Sequence, residues 1–430
     1  MTGPLADAEV AALLAPVAAA PAIALAVSGG ADSLALLAAV DGWRKAPGRP
    51  AVTVLSVDHG LSPGSDVVAA RVAAIAAARG MPAHRLRWEG AKPAADIEAA
   101  ARRARYGLLF AAARAAGASH LLTAHSLEDQ AETFLMRLER GSGLFGLAAM
   151  RPLLAVDGIA LFRPFLAVPR ARLAATTAAA GLVAHDDPMN ADPRFARVRI
   201  RQALPAFAAA GLTPQAIGAT AARLAVAADA IDAAVDRLLA ESVSVDSFAV
   251  AHLSRAAFAA APEAVRFRLV VRLLQAVGGE GYPPRSARVE ALLAALAAAP
   301  EGRPVRRTLA GAVVEGRRDD IRLWRESGRA GLPAMAIPAG FRGVWDHRFT
   351  VSASVATPSG LVLSALGAAR AVGLERPARL PAAAMAALPA LRAGDALVAV
   401  PALGWGRAGV TVSECVSHRL LAPRRFPVLA

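Results

Sequence analysis

The segment Ser28-Gly29-Gly30-Ala31-Asp32-Ser33 decides the fold of this chain. The apolar run Pro21 to Val27 before it predicts a buried strand, and the run Leu34 to Val40 after it predicts a helix. Glycines let the backbone approach an oxygen-rich ligand, and the unpaired N–H groups of a helix N-terminus point at that ligand. The sequence therefore predicts an anion site in which residues 28–33 contact phosphates.

Asp32 is the unusual member of this loop, because a carboxylate repels phosphate unless a cation lies between them. We interpret the loop as a site for the phosphates of a nucleotide, with Mg²⁺ on Asp32. It is not a Walker loop, since no Gly-Lys-Ser/Thr follows. The plainer alternative is a Ser/Gly turn in which Asp32 caps a helix.

Outward from this loop, apolar strands alternate with helical stretches. The predicted strands are Ile23 to Val27, Ala51 to Val57, His84 to Trp88, His120 to Thr123 and Ile159 to Phe165. The predicted helices are Asp32 to Val40, Val67 to Arg79, Ala94 to Ala116, Leu127 to Arg140 and Arg170 to Ala180. This order predicts an α/β fold with a doubly wound parallel sheet.

Ligands of such a sheet bind at the carboxyl ends of its strands. Two further polar clusters fall there, Asp58-His59-Gly60 and His125 to Asp129. Asp129 and Glu132 are three residues apart on a predicted helix and share a face, where they can hold a cationic amine or a metal. The helix dipole alone also favours acidic residues at this position. His125 can orient a phosphate or move a proton, or simply pack or cap the helix.

Two groups of arginines fit an anionic ligand. Arg102 and Arg105 are three residues apart on one predicted helix, so both can face one pocket with planar donors for phosphate. Arg197, Arg199 and Arg201 alternate, which on an extended segment places three guanidiniums on one side. A solvated basic face is the alternative.

The composition is basic, with a net charge of +14 over 430 residues. This suits an RNA partner. However, Lys45 and Lys92 are the only lysines, so the arginine-rich pattern also fits a genome-wide bias. Cys415 is the single cysteine, which excludes a disulfide framework, a Cys-based metal cluster and a paired-Cys redox site within one chain.

The chain is long enough for two or three domains. Residues 1–203 form the predicted nucleotide-binding domain, and residues 204–326 form a mainly helical domain ending in the strand pair Arg307 to Glu315 and Asp319 to Trp324. The Gly/Pro-rich segment Ser327 to Gly340 predicts a linker. Residues 341–430 form a small mixed α/β module.

No segment is long and uninterrupted enough to cross a membrane. The apolar stretch Ala11 to Val27 has an acidic flank and contains Pro16 and Pro21, unlike a signal peptide. We therefore expect a cytoplasmic protein without a membrane partner. The oligomeric state cannot be predicted from the sequence.

The loop Ser28 to Ser33 resembles the PP-loop of the ATP pyrophosphatases, which cleave ATP to AMP and pyrophosphate. Further segments resemble one branch, the tRNA(Ile)-lysidine synthetases. They are Thr123 to Thr133, Val57 to Leu61, Ala101 to Tyr106, Gly141 to Leu147, Asp187 to Asn190 and Phe195 to Arg201. Ser126, Glu128 and Met189 depart from that branch's pattern, which has histidine, aspartate and serine at these positions.

The resemblance implies that ATP adenylates the C2 oxygen of the wobble cytidine in the CAU anticodon of tRNA(Ile). L-lysine then displaces AMP to give lysidine. We expect catalytic roles for Asp32, Arg105 and His125, with Mg²⁺ on Asp32. The expected substrate-binding residues are Arg102, Arg199, Arg201, Asp129 and Glu132, with the two carboxylates receiving the lysine ammonium.

The C-terminal module is expected to support tRNA binding without forming part of the ATP site. Six of its arginines could meet phosphates, namely Arg342, Arg348, Arg407, Arg419, Arg424 and Arg425. A small stabilising domain with scattered surface arginines is the alternative.

Two other functions remain open. A tRNA thiolase with the same loop is disfavoured, because such enzymes usually need a catalytic cysteine or a Cys-bound cluster and Cys415 stands alone far downstream. A non-catalytic protein that binds ATP and tRNA would release no AMP. Glutamine-dependent synthetases are disfavoured because the chain has no domain with a nucleophilic cysteine.

Overall fold

The computed structural model describes residues 3–61, 64–90, 92, 97–156, 158–186, 192–279, 283–298, 304–328, 331–368 and 374–421. The chain divides into two compact units, with the boundary between Ala228 and Asp229. The three predicted domains remain a prediction.

The first unit is built around a six-stranded sheet of order β3-β2-β1-β4-β6-β5. All neighbours pair in parallel except β5 and β6. Its strands are β1 Ala22–Ala26, β2 Ala51–Asp58, β3 Ala83–Arg87, β4 His120–Leu122, β5 Leu153–Val156 and β6 Ile159–Phe162. Its helices are α1 Asp7–Leu14, α2 Ala31–Trp43, α3 Ser65–Ala77, α4 Ile97–Ala115, α5 Leu127–Glu139, α6 Leu144–Leu147, α7 Arg170–Ala179 and α8 Ala196–Ala209, followed by α9 Pro214–Ser242, in which the unit boundary falls.

The two faces of β1 explain why helices cover both sides of this sheet. Ile23 and Leu25 belong to a core that α2 and α7 complete, whereas Ala24 belongs to a second core formed with α4. Successive strand residues point to opposite faces, so a strand buried on both sides reads as a continuous apolar run. The predicted fold class is confirmed. The antiparallel edge strand β5 was not predicted.

The second unit contains three antiparallel sheets of order β7-β8-β11-β10-β9, β12-β15-β16-β17-β18 and β13-β14-β19. Its strands are β7 Val243–Val245, β8 Ala251–Ser254, β9 Val305–Leu309, β10 Ala312–Gly316, β11 Asp320–Arg325, β12 Met335–Ala336, β13 Arg342–Trp345, β14 Phe349–Ala353, β15 Leu361–Ala365, β16 Pro389–Ala393, β17 Ala396–Val400, β18 Trp405–Gly406 and β19 Val410–Glu414. Its helices are α10 Arg255–Ala260, α11 Glu263–Gly278, α12 Ser286–Ala297, α13 Ala382–Ala386 and α14 Val416–Leu421.

Two sequence predictions for this unit need correction. The expected strand Arg307 to Glu315 is two strands, because Ala310 and Gly311 turn the chain at φ angles of 50° and 73°. The expected linker Ser327 to Gly340 contributes β12 and the buried Ile337. Ile337 belongs to a hydrophobic core shared by residues on both sides of that segment.

Among the described residues, no helix combines the length and the apolar character that crossing a membrane requires.

Candidate active site

The site lies where the strand order of the sheet changes direction. Strand β1 is central, with β2 on one side and β4 on the other. The loops after β1 and β4 therefore open at the same edge, where α/β sheets bind ligands. The first carries residues 28–33 and the second leads through His125 into α5.

The glycines of the loop after β1 let its backbone turn closely around the Ser33 hydroxyl. Gly29 has a φ of 89°, and a Cβ built there would lie 2.7 Å from Val68 Cγ1. The Ser33 hydroxyl accepts hydrogen bonds from the backbone N–H groups of Ser28 and Gly29, at 3.2 and 3.1 Å, and donates to the Gly30 carbonyl. Helix α2 is capped by Gly30, which has no side chain to cover the first N–H groups. The predicted loop, turn and helix are thus in place at the end of β1.

Asp32 lies in the first turn of α2 and is largely enclosed. Its Oδ1 atom is buried without a hydrogen-bond partner among the described residues, and its Oδ2 lies 3.4 Å from Arg170 Nε. Burial raises the pKa of the Asp32 carboxyl from 3.8 to about 6, although Arg170 opposes the shift. An unsatisfied carboxylate oxygen beside a phosphate-type loop suits Mg²⁺, which commonly takes one or two carboxylates together with phosphates. No group of three or more metal-binding side chains occurs in the described part of the chain.

Helix α5 begins with a reciprocal cap. The Ser126 hydroxyl accepts from the Asp129 backbone N–H at 3.3 Å, and the Asp129 carboxylate accepts from the Ser126 backbone N–H at 2.9 Å and from its hydroxyl at 3.1 Å. Serine is a preferred residue at this position. Ser126, which stands where the family pattern has histidine, therefore fixes the start of the helix.

Glu132 forms ion pairs with three arginines around α5. Its carboxylate has no exposed area and pairs with Arg197 Nε at 2.8 Å and Arg201 Nε at 2.8 Å, and with Arg170 Nη2 at 3.4 Å. Asp129 Oδ1 pairs with Arg170 Nη2 at 3.0 Å. The two carboxylates predicted to share a face both contact Arg170, so in this structure arginines occupy them.

The predicted extended segment containing Arg197, Arg199 and Arg201 is wrong. These residues lie on α8, where positions four apart share a face and positions two apart do not. Arg197 and Arg201 therefore reach Glu132 together, whereas Arg199 is exposed and donates to the carbonyls of Pro193 and Arg194, each at 3.0 Å. The alternation of arginine with Val198 and Ile200 is typical of a strand, so no local pattern indicated this helix.

Arg170 was missed as a site residue by the sequence analysis. It is the first residue of α7, and its guanidinium contacts Asp32, Asp129 and Glu132. Its backbone N–H donates to Glu128 Oε2 at 2.8 Å, so the departure at Glu128 supplies a cap for α7. Only long-range packing brings α7 beside α2 and α5, so no local pattern could reveal this contact.

A second group of cations surrounds Tyr106 on α4. Arg102 and Arg105 lie over the Tyr106 ring at 5.2 and 5.5 Å from its centre, so the predicted pair does come together at one side chain. Arg163, which follows β6, is also buried there, and the Nε atoms of Arg102 and Arg163 have no hydrogen-bond partner within the described ranges. Burial would raise the pKa of Tyr106, but these three arginines lower it. Such a cluster favours an anionic ligand.

His125 follows β4 and lies within electrostatic range of the same arginines. Its Nδ1 is 3.0 Å from the Thr123 hydroxyl. Burial, with the positive charges of Arg163 and Arg102 next in importance, holds the pKa of His125 well below 6.5. The imidazole is therefore neutral at neutral pH.

The other sequence clusters have mainly structural contacts. Asp58 Oδ1 accepts from the Gly60 backbone N–H at 2.9 Å and from the Ser65 hydroxyl, so it shapes its own loop. Gln130 bonds the backbone of Met150 through both amide atoms, each at 2.9 Å, and Arg137 donates to the carbonyls of Gly146 and Ala149. These bonds fix the segment after Gly141. The motif of residues 187–190 lies outside the described residues.

The sheet order, the loop after β1 and the carboxylate beside it define a PP-loop nucleotide-binding protein, and residues 5–206 match the PP-loop domain family. Proteins named tRNA(Ile)-lysidine synthase are similar over most of the chain. That of Rhodopseudomonas palustris is 47% identical over 69% of this chain and 88% of its own length. That of Bradyrhizobium diazoefficiens is 46% identical over 72% and 91%, and that of Ruegeria pomeroyi is 36% identical over 89% and 88%. The chain belongs to the tRNA(Ile)-lysidine synthase family.

Among solved structures, a U34-tRNA thiolase from Methanococcus maripaludis is similar over 50% of this chain and 76% of its own, with 15% identity and a TM-score of 0.43. A likeness this distant carries no functional argument.

Proposed function

We propose that the protein uses ATP to join L-lysine to C2 of the wobble cytidine in the CAU anticodon of tRNA(Ile). ATP first adenylates the C2 oxygen with release of pyrophosphate, and the lysine amine then displaces AMP. The observation that carries this proposal is the position of Asp32, whose buried Oδ1 belongs to the PP-loop while Arg170 links the carboxylate to that of Asp129. The tRNA substrate makes the cytoplasm its site of action.

The triphosphate would bind at residues 28–33. Backbone N–H groups of the loop and the positive end of α2 would receive the phosphate oxygens. Asp32 would hold Mg²⁺, which supplies charge neutralisation for the phosphates when bound. Its raised pKa reflects the cost of keeping a carboxylate buried without a sufficient counter-ion, and a divalent cation removes that cost.

The arginines beside Tyr106 would stabilise negative charge on the departing pyrophosphate or on the tRNA backbone. Arg163 is buried and Arg102 and Arg105 are partly buried, and all three present planar donors in a setting where electrostatic interactions are stronger than in water. The cytidine must leave its stack to reach this pocket. His125, held neutral, would accept or donate a hydrogen bond without adding a further positive charge.

Lysine would bring its ammonium to Asp129 and Glu132. These carboxylates are paired with arginines, so the incoming ammonium would replace part of an existing ion-pair network. Exchange of one cation for another costs less than burial of a charge without a partner. This supports Asp129, whose side chain retains 13% exposure, more strongly than Glu132, which has none.

A three-component assay with ATP, labelled lysine and tRNA carrying a CAU anticodon tests the proposal. Label is expected in that tRNA, together with stoichiometric AMP, and a tRNA with a CAC anticodon is the matched control. AMP release with sulfur transfer and no lysine incorporation would indicate the thiolase alternative. Binding of ATP and tRNA without AMP would indicate the non-catalytic alternative.

A further inference from the structure

We propose that Arg170 is a positioning residue that couples the nucleotide and lysine subsites, so that a cation bound at one carboxylate strengthens binding at the other. The inference rests on the proposed function. Its basis is that one guanidinium serves carboxylates on two different elements, Asp32 on α2 and Asp129 on α5.

The three acidic residues differ in how far they depend on Arg170. Glu132 also pairs with Arg197 and Arg201 at 2.8 Å, so it keeps counter-charge without Arg170. Asp129 has Arg197 as a longer second partner at 3.6 Å. Within the described part of the chain, Asp32 forms its ion pair with Arg170. Arg170 is thus the cation that Asp32 and Asp129 have in common.

A shared counter-ion links the two carboxylates energetically. A cation that arrives at Asp32 competes with Arg170, and so does an ammonium that arrives at Asp129. Once the first ligand has displaced the guanidinium, the second meets a carboxylate that is no longer paired with it. Thermodynamic linkage makes the effect reciprocal, so lysine must strengthen nucleotide binding by the factor by which the nucleotide strengthens lysine binding.

The position of Arg170 permits such a movement. Its side chain retains 28% exposure, and its contacts with Asp32 and Glu132, at 3.4 to 3.5 Å, are longer than the best charge-assisted hydrogen bonds; its shortest contact is the one with Asp129, at 3.0 Å. Its backbone N–H is held separately by Glu128 at 2.8 Å. The guanidinium can therefore leave the carboxylates while the start of α7 stays anchored.

The test is equilibrium binding with the full chain and no tRNA. An ATP analogue with an α,β-methylene bridge, in the presence of Mg²⁺, is titrated with and without saturating L-lysine. Norleucine is the control ligand, because it keeps the α-ammonium and lacks only the ε-ammonium that the proposal brings to Asp129. In the wild-type protein we expect lysine to lower the Kd of the analogue several-fold, within the range usual for coupled sites. Norleucine is expected to leave it unchanged.

In Arg170→Gln, the Kd of the analogue without lysine divided by its Kd with lysine is expected to fall to about one, or below it. Without the shared guanidinium, the two ligand cations only repel each other. Arg172→Gln is the matched control: Arg172 lies on the same helix in an ion pair with Glu9 at 2.7 Å. It should keep the wild-type ratio. If Arg170→Gln does not fold, Arg170→Lys tests the coupling instead, because lysine retains the charge but not the planar fork. The ratio of Kd values in Arg170→Lys should be smaller than in the wild-type protein.

A wild-type ratio in Arg170→Gln, or in Arg170→Lys where the glutamine variant does not fold, overturns the coupling. So does a wild-type protein in which lysine leaves nucleotide affinity unchanged. Either result, accompanied by normal incorporation of labelled lysine into tRNA, leaves the proposed function intact. Failure of incorporation with the coupling present would instead point to a different acceptor for the lysine.

Discussion

Arg201 forms a two-point ion pair with Glu132, from Nε to Oε1 at 2.8 Å and from Nη2 to Oε2 at 3.2 Å. Because Glu132 is fully buried and also pairs with Arg197, it is the counter-charge of the cluster that joins α5 to α8. Its first effect on the protein is therefore structural.

Glu132→Gln should lower the free energy of unfolding by about 3 kcal/mol or more, since it leaves several guanidinium groups without their counter-ion in a buried setting. Denaturant unfolding at pH 7 measures the change. Glu139→Gln, at the exposed end of the same helix, is the control and should stay within about 0.5 kcal/mol of wild type. An unchanged midpoint for Glu132→Gln would contradict the structural role.

Asp129→Asn should impair lysine use more than ATP binding. The substitution removes the charge that attracts an ammonium and keeps the side-chain size. We expect the KM for lysine to rise roughly tenfold, a change of about 1.4 kcal/mol, while the Kd for ATP stays nearly constant. Equal effects on both substrates would point to a metal site or to general disruption of the cap with Ser126.

Asp32→Ala should abolish AMP release. In the wild-type enzyme, kcat/KM for ATP, which reports the free enzyme, should fall as the pH drops through about 6, where the Asp32 carboxyl takes up a proton. The pKa of this carboxyl is raised on folding, so the associated stability is complete below pH 3.8 and is lost as the pH rises through 6. Asp32→Asn should therefore be more stable than wild type at pH 8, by at most about 3 kcal/mol. Full AMP production by Asp32→Ala would refute the assignment.

His125 should remain neutral at pH 6.5 and above, because burial and the surrounding arginines hold its pKa well below 6.5. Selective labelling of histidine for NMR should show no titration of its ring in the folded protein, whereas the urea-unfolded chain titrates normally. As the pH falls below 6.5, the His125 ring takes up a proton in the unfolded chain but not in the folded protein. The free energy of unfolding therefore decreases. A transition of the His125 signals near pH 6.5 in the folded state would contradict this.

The C-terminal module, residues 341–430, is predicted to contact tRNA, but its arginines are not equivalent. Arg342 and Arg407 are exposed. The expectation that Arg348 meets phosphate is wrong, because this side chain is 1% exposed and pairs with Asp346 at 2.7 Å. Arg424 and Arg425 lie outside the described residues. Because residues before and after the expected linker share one core, point variants test this prediction better than truncation.

The double variant Arg342→Gln, Arg407→Gln should weaken tRNA binding and reduce its salt slope by about 0.7 to 0.9 for each phosphate that the protein no longer neutralises. ATP affinity and thermal stability should not change, and both serve as internal controls. An unaltered slope would remove these two arginines from the RNA interface.

The sequence predicts the structure best where a feature is formed by residues that are close together in the chain. The apolar run before Ser28 and the glycines after it predicted a strand and an anion loop, and β1 and Gly29 are found there. It was least informative where distant elements meet. Arg170 reaches Asp32 across 138 residues, and no pattern within α7 carries that information. The alternation of Arg197, Arg199 and Arg201 predicts an extended segment because it repeats every two residues. Helix α8 forms instead and turns Arg199 away from the other two.

The side-chain amide of Gln130 bonds the backbone of Met150 in the way that a neighbouring strand would. It donates to the Met150 carbonyl and accepts from the Met150 N–H. Only a primary amide on a side chain of this length offers one donor and one acceptor with that spacing. Glutamate lacks the donor and would place a charge against a carbonyl, methionine lacks both groups, and asparagine is one methylene short. Position 130 should consequently be among the least variable in any mutational library selected for activity, although its side chain serves only the backbone of its own chain.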